Sequence, residues 1–259
     1  MTAWLIGLTF AGLIGVSMGL LGGGGSVLAV PVFVYVLGVP PKPAIAMTLI
    51  VIAAVSLIAA LYHWRAGNLN FKTALKFGAA MVPGSYLGAK AAALPFITGE
   101  VQMALLAVVM LVAASFMIYR SLRGLPAEEN LFGFYPKPLC RRCGLWMMTE
   151  GLGVGLLTGL VGVGGGFAIV PALVLLGNTP MREAIGTSLL VIAISAAAAF
   201  TGYLGQVSLD IYLMSVFTII AGGGALAGAL LTRVLHPMQL QRGFAYFLAL
   251  VAVFILWKL

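Results

Sequence analysis

The chain has 259 residues, of which 62% are hydrophobic and 8% charged, with a formal net charge of +8 and a mean hydropathy of +1.14. Because a soluble domain carries about 25% charged residues, this composition excludes one and predicts an integral membrane protein. The basic residues lie mostly between apolar segments, where they indicate membrane topology rather than nucleic-acid binding. The lipid bilayer is therefore an expected partner, and nucleic acid is not.

Eight apolar segments follow one another along the chain, and strand-like alternation is absent, so each is predicted to be a membrane helix. As one straight helix, the first segment would be about 50 Å long, well beyond a hydrocarbon core of about 30 Å. We expect the first and fifth segments to break at the glycine clusters near their middles. The predicted fold is an all-α polytopic membrane bundle. Its segments are Trp4–Leu37, Ala44–Tyr62, Thr73–Ala92, Val101–Tyr119, Leu145–Leu176, Ala184–Tyr203, Ile211–Leu231 and Leu240–Trp257.

The segments repeat as two homologous halves, residues 1–119 and 145–259, joined by a polar linker at 120–144. Duplicated halves are common in secondary transporters, whose substrate sites lie near the midplane between the repeats. Four spans per half would make the halves parallel, whereas a second crossing within each long segment would invert them, and the sequence leaves both open. We call the separation between Gly22 and Gly162 the repeat offset. At this one offset, Gly22, Gly24, Gly25, Val30, Pro31 and Thr48 coincide with Gly162, Gly164, Gly165, Val170, Pro171 and Ser188.

Basic residues give a prediction of sidedness. Counted on eight segments, the side with both termini and the 120–144 linker carries nine basic residues, against five on the other side. Because cytoplasmic loops are enriched in Lys and Arg, both termini and the linker are predicted to be cytoplasmic, in an inner (plasma) membrane protein.

The linker contains the two cysteines of the chain, Cys140 and Cys143. One C-x-x-C pair supplies two of the four ligands that a structural zinc site usually needs, and neither histidine is nearby in sequence. We interpret the pair as reduced cysteines, with redox or metal chemistry as the alternative. No metal site and no cofactor are predicted.

A resemblance rests on the glycine motifs. Residues 162–171 follow the pattern G-x-G-G-G-x-x-x-V-P, residues 22–31 repeat much of it, and Ala184-Ile-Gly-Thr-Ser-Leu-Leu-Val-Ile192 follows. This combination resembles the TauE/SafE family, also called the toluene-sulfonate uptake permease family, over nearly the whole chain. The resemblance implies an all-helical inner-membrane permease for small anions, typically sulfite, sulfonates, sulfoacetate or related organosulfur species. Ser26 stands where the second half has Gly166, and Met47-Thr48 where it has Thr187-Ser188, so the halves are unequal.

The glycine motifs are the predicted substrate site. A helix that restarts after a break offers unpaired N–H groups and a positive dipole end to an anion. One terminus contributes up to about 2 kcal/mol, less than the cost of about 2.5–3.5 kcal/mol for a charge at the bilayer centre, so two termini and neighbouring hydroxyls are needed. The alternative is that these glycines only allow close helix packing. The predicted substrate-binding residues are Gly22, Gly23, Gly24, Gly25, Ser26, Thr48, Gly162, Gly164, Gly165, Gly166, Thr187 and Ser188.

Other residues receive more ordinary interpretations. Pro31 and Pro171 are predicted to kink the emerging helices. His63, Arg65 and Lys90 lie near helix ends, where they are topology anchors or, as the alternative, gate or entry residues. The glycine pairs with helix-packing spacing are Gly84 with Gly88 and Gly224 with Gly228.

The predicted function is a secondary transporter for small anions. An intramembrane enzyme would need a nucleophile with a base, or a metal cluster, inside the spans, and the sequence offers neither. No carboxylate lies deep in a predicted span, so a buried proton relay is not visible. A non-transporting membrane scaffold or assembly factor is the second alternative. A second copy of the chain is a possible partner.

Overall fold

All the elements found in the described part of the chain are helical. The structure is a computed structural model. It describes residues 2–92, 94, 97–122, 143–161, 166, 169–170, 173, 179, 181–205, 207, 209–232, 246, 249–250 and 252–257. Within these residues, α1, α3, α7 and α8 are long and apolar enough to span a membrane. The helices are α1 (Thr2–Leu21), α2 (Ala29–Pro31), α3 (Pro41–Arg65), α4 (Phe71–Ala92), α5 (Gly99–Leu122), α6 (Cys143–Val161), α7 (Met181–Tyr203) and α8 (Ile211–Leu231).

Glycine contacts show which helices run in parallel. Along α1, glycines one turn apart pack on α8 in rising order, so these two helices are parallel. The same pattern joins α6 to α4. The contacts are Gly15 with Ala221, Gly19 with Ala225, Gly155 with Met81 and Gly159 with Ser85.

Helices α3 and α7 extend this pattern to a bundle of two opposed directions. His63, near the end of α3, lies 3.5 Å from the carbonyl oxygen of Gly19 near the end of α1, so α3 runs with α1 and α8. Gly186, near the start of α7, packs on Asn68, which follows the end of α3. Helix α7 therefore runs with α4 and α6, against α1, α3 and α8. We call the end at which α1 begins the terminus side, and the opposite end, where α5 ends and α6 begins, the linker side.

The first apolar segment consists of two pieces rather than one. Helix α1 ends at Leu21, and the return segment, Gly24–Val36, runs back to Gly38–Pro40 on the terminus side. The return segment is 3-10 helix at Gly24–Leu28, α-helix at α2 and π-helix at Val32–Val36. The predicted break lies at the expected glycines, and the first apolar segment makes two passes along the bundle, the alternative that the sequence left open.

The extra piece changes the predicted sidedness. Because the return segment adds one traverse, α1 begins at the opposite end of the bundle from Leu122, where α5 ends, and Cys143, where α6 begins. The start of α1 therefore lies at the opposite end of the bundle from the two helix ends that flank residues 123–142, whereas the eight-segment count placed them on one side. The ring of Phe254 packs edge-on at 5.7 Å from that of Tyr35, near the terminus-side end of the return segment.

Glycines on straight helices allow the close packing of the bundle. A Cβ on Gly84 or Gly88 of α4 would meet the backbone of α6, and one on Gly224 or Gly228 of α8 would meet the backbone of α1. Small residues of this kind let membrane helices approach backbone to backbone. The prediction that these four glycines serve helix packing is confirmed.

Candidate functional site

The chain reverses at Gly22 and Gly23. Both backbone N–H groups donate to the carbonyl oxygen of Met18, at 3.0 and 3.1 Å, and so close the end of α1. Gly22 has φ +67° and Gly23 has φ +95°, in the left-handed region that L-residues with a side chain rarely adopt. Consecutive glycines are therefore required for the reversal itself.

The reversal lies directly against the second half of the chain. The Ser188 hydroxyl lies 2.8 Å from the carbonyl oxygens of both Gly22 and Ile185, to which it donates. A Cβ on Gly22 would lie 2.6 Å from Ser188 Oγ and 2.8 Å from Ile185 Cα. A Cβ on Gly166 would lie 2.5 Å from the carbonyl oxygen of Gly23 and 2.7 Å from its Cα. Backbone from the two glycine motifs is thus in direct contact.

The other hydroxyls of the predicted site are buried and engaged. Ser26 Oγ donates to the carbonyl oxygen of Gly23 at 2.7 Å, and Thr48 Oγ1 donates to that of Ile45 at 2.9 Å. Thr187 Oγ1 accepts from the backbone N–H of Asn70 at 3.0 Å. The structure therefore brings Ser26 and Ser188 to the reversal, while Thr187 bonds to the turn that follows α3.

The remaining residues of the first glycine motif lie along the return segment, and most of those of the second motif lie outside the described residues. Gly24 and Gly25 begin the 3-10 helix, and a Cβ on Gly25 would meet the carbonyl oxygen of Ile14 at 2.6 Å, so this residue packs against α1. Pro31 ends α2, where the return segment changes from α- to π-helix. The predicted site residues that lie outside the described residues are Gly162, Gly164, Gly165 and Pro171.

Of the three proposed gate or entry residues, His63 and Arg65 lie in the last turn of α3, whereas Lys90 lies in the last turn of α4, towards the opposite end of the bundle. His63 is 1% exposed and approaches Gly19, three residues before the reversal. Arg65 is exposed at the linker-side end of α3. Lys90 is exposed towards the terminus side, with its Nζ 5.1 Å from the centre of the Tyr86 ring.

Sequence reasoning missed a polar group at the linker side. Asn70 Nδ2 donates to Glu183 Oε1 at 2.7 Å and so joins the start of α4 to the first turn of α7. Asn70 belongs to the block Gly67-Asn-Leu-Asn70, which resembles residues 205–208. That internal similarity was the available signal, and it did not indicate a side-chain partner.

Gln102 and Tyr203 form a second missed group, at the terminus side. Gln102 Nε2 donates to the carbonyl oxygen of Leu160 at 2.8 Å and lies 3.3 Å from Tyr203 Oη, which donates to that of Gly159 at 3.0 Å. At the repeat offset, Tyr203 corresponds to His63, and Gly159 corresponds to Gly19, which His63 contacts. Equivalent positions of the two halves thus carry different polar side chains.

The interior around the reversal holds no charged side chain among the residues described. The buried polar residues there are Ser, Thr and Gln with the single histidine His63, and no Asp, Glu, Lys or Arg is buried in that part of the chain. No three His, Cys, Asp or Glu side chains in the described ranges come together as metal ligands do. The polar chemistry available is that of hydroxyls, amides and backbone groups.

Comparison with known proteins decides the family. The sequence model of the family described as "Sulfite exporter TauE/SafE" matches residues 7–255. The chain belongs to the TauE/SafE family. A relative from Xylella fastidiosa (strain 9a5c), named a probable membrane transporter protein, is 30% identical to this TauE/SafE chain over 95% of this chain and 92% of its own length.

More distant relatives are also named probable membrane transporter proteins. The probable membrane transporter protein YdhB of Bacillus subtilis is 27% identical over 88% of this chain and 90% of its own length. One from Methanocaldococcus jannaschii is 24% identical over 94% of this chain and 92% of its own length. No solved structure matches this chain. The TauE/SafE chain described here is accordingly a membrane transporter protein by family.

Proposed function

We propose that this TauE/SafE protein is a secondary transporter of the inner (plasma) membrane for small anions. The candidate substrates are sulfite, sulfonates and related organosulfur or carboxylate anions, and the glycine motifs form the site. The observation that carries this proposal is the contact of the Gly22–Gly23 reversal with Gly166 and Ser188. Family membership supports transport, and the family's description supports sulfite as the first substrate to test.

An inverted repeat is the architecture that we infer for alternating access. Each of the helices α1, α3 and α4 runs opposite to its own counterpart at the repeat offset, which is α6, α7 and α8 respectively. Contacts recur at the same offset, which supports two equivalent halves related by an axis in the membrane plane. The recurring pairs are Gly15–Ala221 with Gly155–Met81, Gly19–Ala225 with Gly159–Ser85, and Gly88–Leu156 with Gly228–Val16.

The same geometry gives a new proposal for sidedness. Of the seven basic residues described, five lie on the linker side and two, Lys42 and Lys90, on the terminus side. The linker adds Arg123, Lys137, Arg141 and Arg142 to the basic residues between the linker-side ends of α5 and α6. Because basic residues concentrate in the cytoplasm, we place the linker side there and the amino terminus outside. The five basic residues on the linker side are Arg65, Lys72, Lys76, Arg120 and Arg182.

Uncharged groups suit an anion that must also be released. The first N–H groups of a helix have no acceptor within that helix, and Gly24 and Gly25 occupy this position in the return segment. The Ser188 hydroxyl now donates to backbone carbonyls, and it would turn to a bound anion by rotation about its C–O bond. Exchanging one hydrogen bond for another costs little net free energy, so binding stays reversible.

Flux through reconstituted protein tests the proposal. Purified protein in liposomes should accumulate at least one labelled anion from a panel of sulfite, sulfoacetate, an arylsulfonate and a carboxylate, above liposomes without protein. Uptake should saturate with concentration and be competed by the unlabelled anion. If no anion of the panel moves while a control carrier is active, the proposal fails, and retained cellular function would then favour a scaffold.

A matched pair of serines tests the site. Ser188 and Ser195 are both buried on α7, and both donate to the carbonyl oxygen three residues earlier, but Ser188 also donates to Gly22. Ser188→Ala should lower kcat/KM about ten- to hundredfold, because a hydrogen bond to a charged ligand contributes about 1.5–3 kcal/mol. Ser195→Ala should stay within about twofold of the unmodified protein. Equal effects in both variants would contradict this placement of the site.

A further inference from the structure

The linker side of the bundle is closed by side chains that join the two halves. Asn70, just before α4, uses three groups: Nδ2 donates to Glu183 Oε1 at 2.7 Å, its backbone N–H donates to Thr187 Oγ1 at 3.0 Å, and Oδ1 accepts from the N–H of Thr73 at 3.1 Å. Glu183 and Thr187 lie one turn apart at the start of α7. We call Asn70, Glu183 and Thr187 the linker-side gate.

The corresponding position on the terminus side differs in chemistry. At the repeat offset, Asn70, Glu183 and Thr187 correspond to Asp210, Pro43 and Met47. The backbone contact recurs there, since the N–H of Asp210 lies 3.3 Å from Met47 Sδ. The side-chain bond cannot recur, because Pro43 has no polar side-chain atom.

A cavity occupies the place of the missing bond. The Asp210 carboxylate accepts from the N–H of Leu213 at 2.9 Å, so it caps its own helix instead of reaching across to α3. A cavity of about 620 Å³ opens here between the start of α3 and the start of α8, and its lining includes Pro43, Met47, Leu209 and Asp210. We call it the terminus-side cavity.

We propose that the linker-side gate and the terminus-side cavity are the two access points of one alternating-access cycle, and that the Asn70–Glu183 hydrogen bond holds the linker side closed. This inference rests on the proposed transport function. In the conformation described, the terminus-side cavity admits the substrate and the gate seals the far end. Because the Asn70–Glu183 bond has no counterpart at the equivalent pair Asp210 and Pro43, breaking it shifts the protein towards the state that is open on the linker side.

Thiol labelling reads this shift without any substrate. The background variant carries Cys140→Ser and Cys143→Ser, which removes both native thiols. Two single reporters at equivalent positions are then added separately, Met47→Cys in the lining of the terminus-side cavity and Thr187→Cys within the gate, next to the Asn70–Glu183 bond. In lipid nanodiscs, where a soluble maleimide reaches both faces, the Met47→Cys reporter should react faster than the Thr187→Cys reporter, because Met47 lines the cavity and Thr187 is fully buried.

Removing either partner of the Asn70–Glu183 bond should shift labelling from the Met47→Cys reporter towards the Thr187→Cys reporter. Glu183→Ala and Asn70→Ala should each raise the labelling rate of the Thr187→Cys reporter, relative to that of the Met47→Cys reporter, about tenfold, the effect of about 1.4 kcal/mol expected for a charge-assisted hydrogen bond. Glu183→Gln keeps an acceptor oxygen and should have a smaller effect. The double variant should equal a single one, because both changes remove the same bond.

A matched control separates the gate from a general effect of removing a carboxylate. Glu100→Ala removes an exposed glutamate from the first turn of α5, as Glu183→Ala removes a half-buried one from the first turn of α7, and Glu100→Ala should leave both labelling rates unchanged. All variants are compared only where they elute as monodisperse protein.

The outcomes distinguish the gate from the transport function. Unchanged labelling of the Thr187→Cys reporter in folded Glu183→Gln, Glu183→Ala and Asn70→Ala proteins would overturn the gate, as would additive effects in the double variant. If labelling shifts as expected but no anion of the panel is transported, the gate stands and the proposed substrates fail. If transport is measured and labelling does not shift, the proposed function stands and the gate fails.

Discussion

Two groups of glycines in this protein have different structural roles, although both depend on the lack of a side chain. Gly84 and Gly88 lie within a continuous helix and only bring it close to the backbone of α6. Gly22 and Gly23 end a helix, have positive φ angles and contact the other half of the chain. At the first group, glycine is required only because a side chain would clash with the neighbouring helix. At the second group, glycine is required both to avoid a clash and to adopt a positive φ angle.

The difference teaches how a transporter can keep its polar backbone inside a membrane. Unpaired backbone groups are costly in hydrocarbon and are tolerated where protein surrounds them. The return segment is about 20 Å long, less than the hydrocarbon core of about 30 Å, and Gly24 to Phe33 are buried. The tight packing made by the first group of glycines therefore shields the irregular backbone that the second group creates.

The largest effect is expected at the reversal. Gly22→Ala should be strongly destabilising and abolish transport, because the new Cβ combines left-handed strain of about 1–2 kcal/mol with overpacking of about 1–3 kcal/mol against Ser188 and Ile185. Gly205→Ala is the control, since Gly205 has a similar φ of +79° but no atom within 4 Å of an added Cβ. It should lose only the strain energy and keep transport. Thermal unfolding and flux measure both, and equal losses would show that the contact is unimportant.

A smaller effect is expected within α4. Gly88→Ala should destabilise the bundle by about 1–3 kcal/mol, because the Cβ would lie 2.9 Å from the carbonyl carbon of Leu156 and 3.0 Å from the N of Leu160. Gly78→Ala, on the same helix with no atom within 4 Å, should stabilise it by about 0.5–1 kcal/mol through helix propensity. Chemical unfolding in detergent compares them. Flux per folded molecule should be unchanged in Gly78→Ala, and a destabilising Gly78→Ala would undermine the assignment of this group to packing.

The smallest effect is expected at Lys90. Lys90→Gln removes a cation that lies over the Tyr86 ring on an exposed surface, an interaction of about 0.5–1 kcal/mol. Transport rate should change by less than about twofold, which would assign Lys90 to anchoring rather than anion entry. A loss of tenfold or more that is rescued by Lys90→Arg would instead make it an entry residue.

Much of the fold could be predicted from residue type alone. Long apolar runs predicted the helices, and excess length predicted the break at Gly22–Gly23. Hydropathy could not tell that the chain turns back there, because Leu21 and Val27 are equally apolar whether the backbone continues or reverses. One reversal more or less decides whether the amino terminus and the linker are predicted on the same side, and in the structure the start of α1 lies opposite to Leu122 and Cys143, the helix ends that flank the linker.

The candidate site was predictable in part. The internal repeat indicated that the two glycine motifs belong together, and Gly23 and Gly166 are in contact. The sequence did not show which hydroxyl of α7 lies at the reversal. Thr187 and Ser188 are neighbours in sequence, but the Thr187 hydroxyl bonds to Asn70 and the Ser188 hydroxyl bonds to Gly22. Which neighbour faces the reversal depends on the rotation of α7 in the bundle, which no local sequence pattern specifies.

Direct binding tests the central claim that the reversal forms an anion site. Calorimetric titration of sulfite into purified protein in nanodiscs should give saturable binding for the unmodified chain and for Gly205→Ala, and none for Gly22→Ala that elutes as folded protein. If sulfite does not bind, the other anions of the panel are titrated in the same way. Binding of any of them to Gly22→Ala with the affinity of the unmodified chain would contradict the claim.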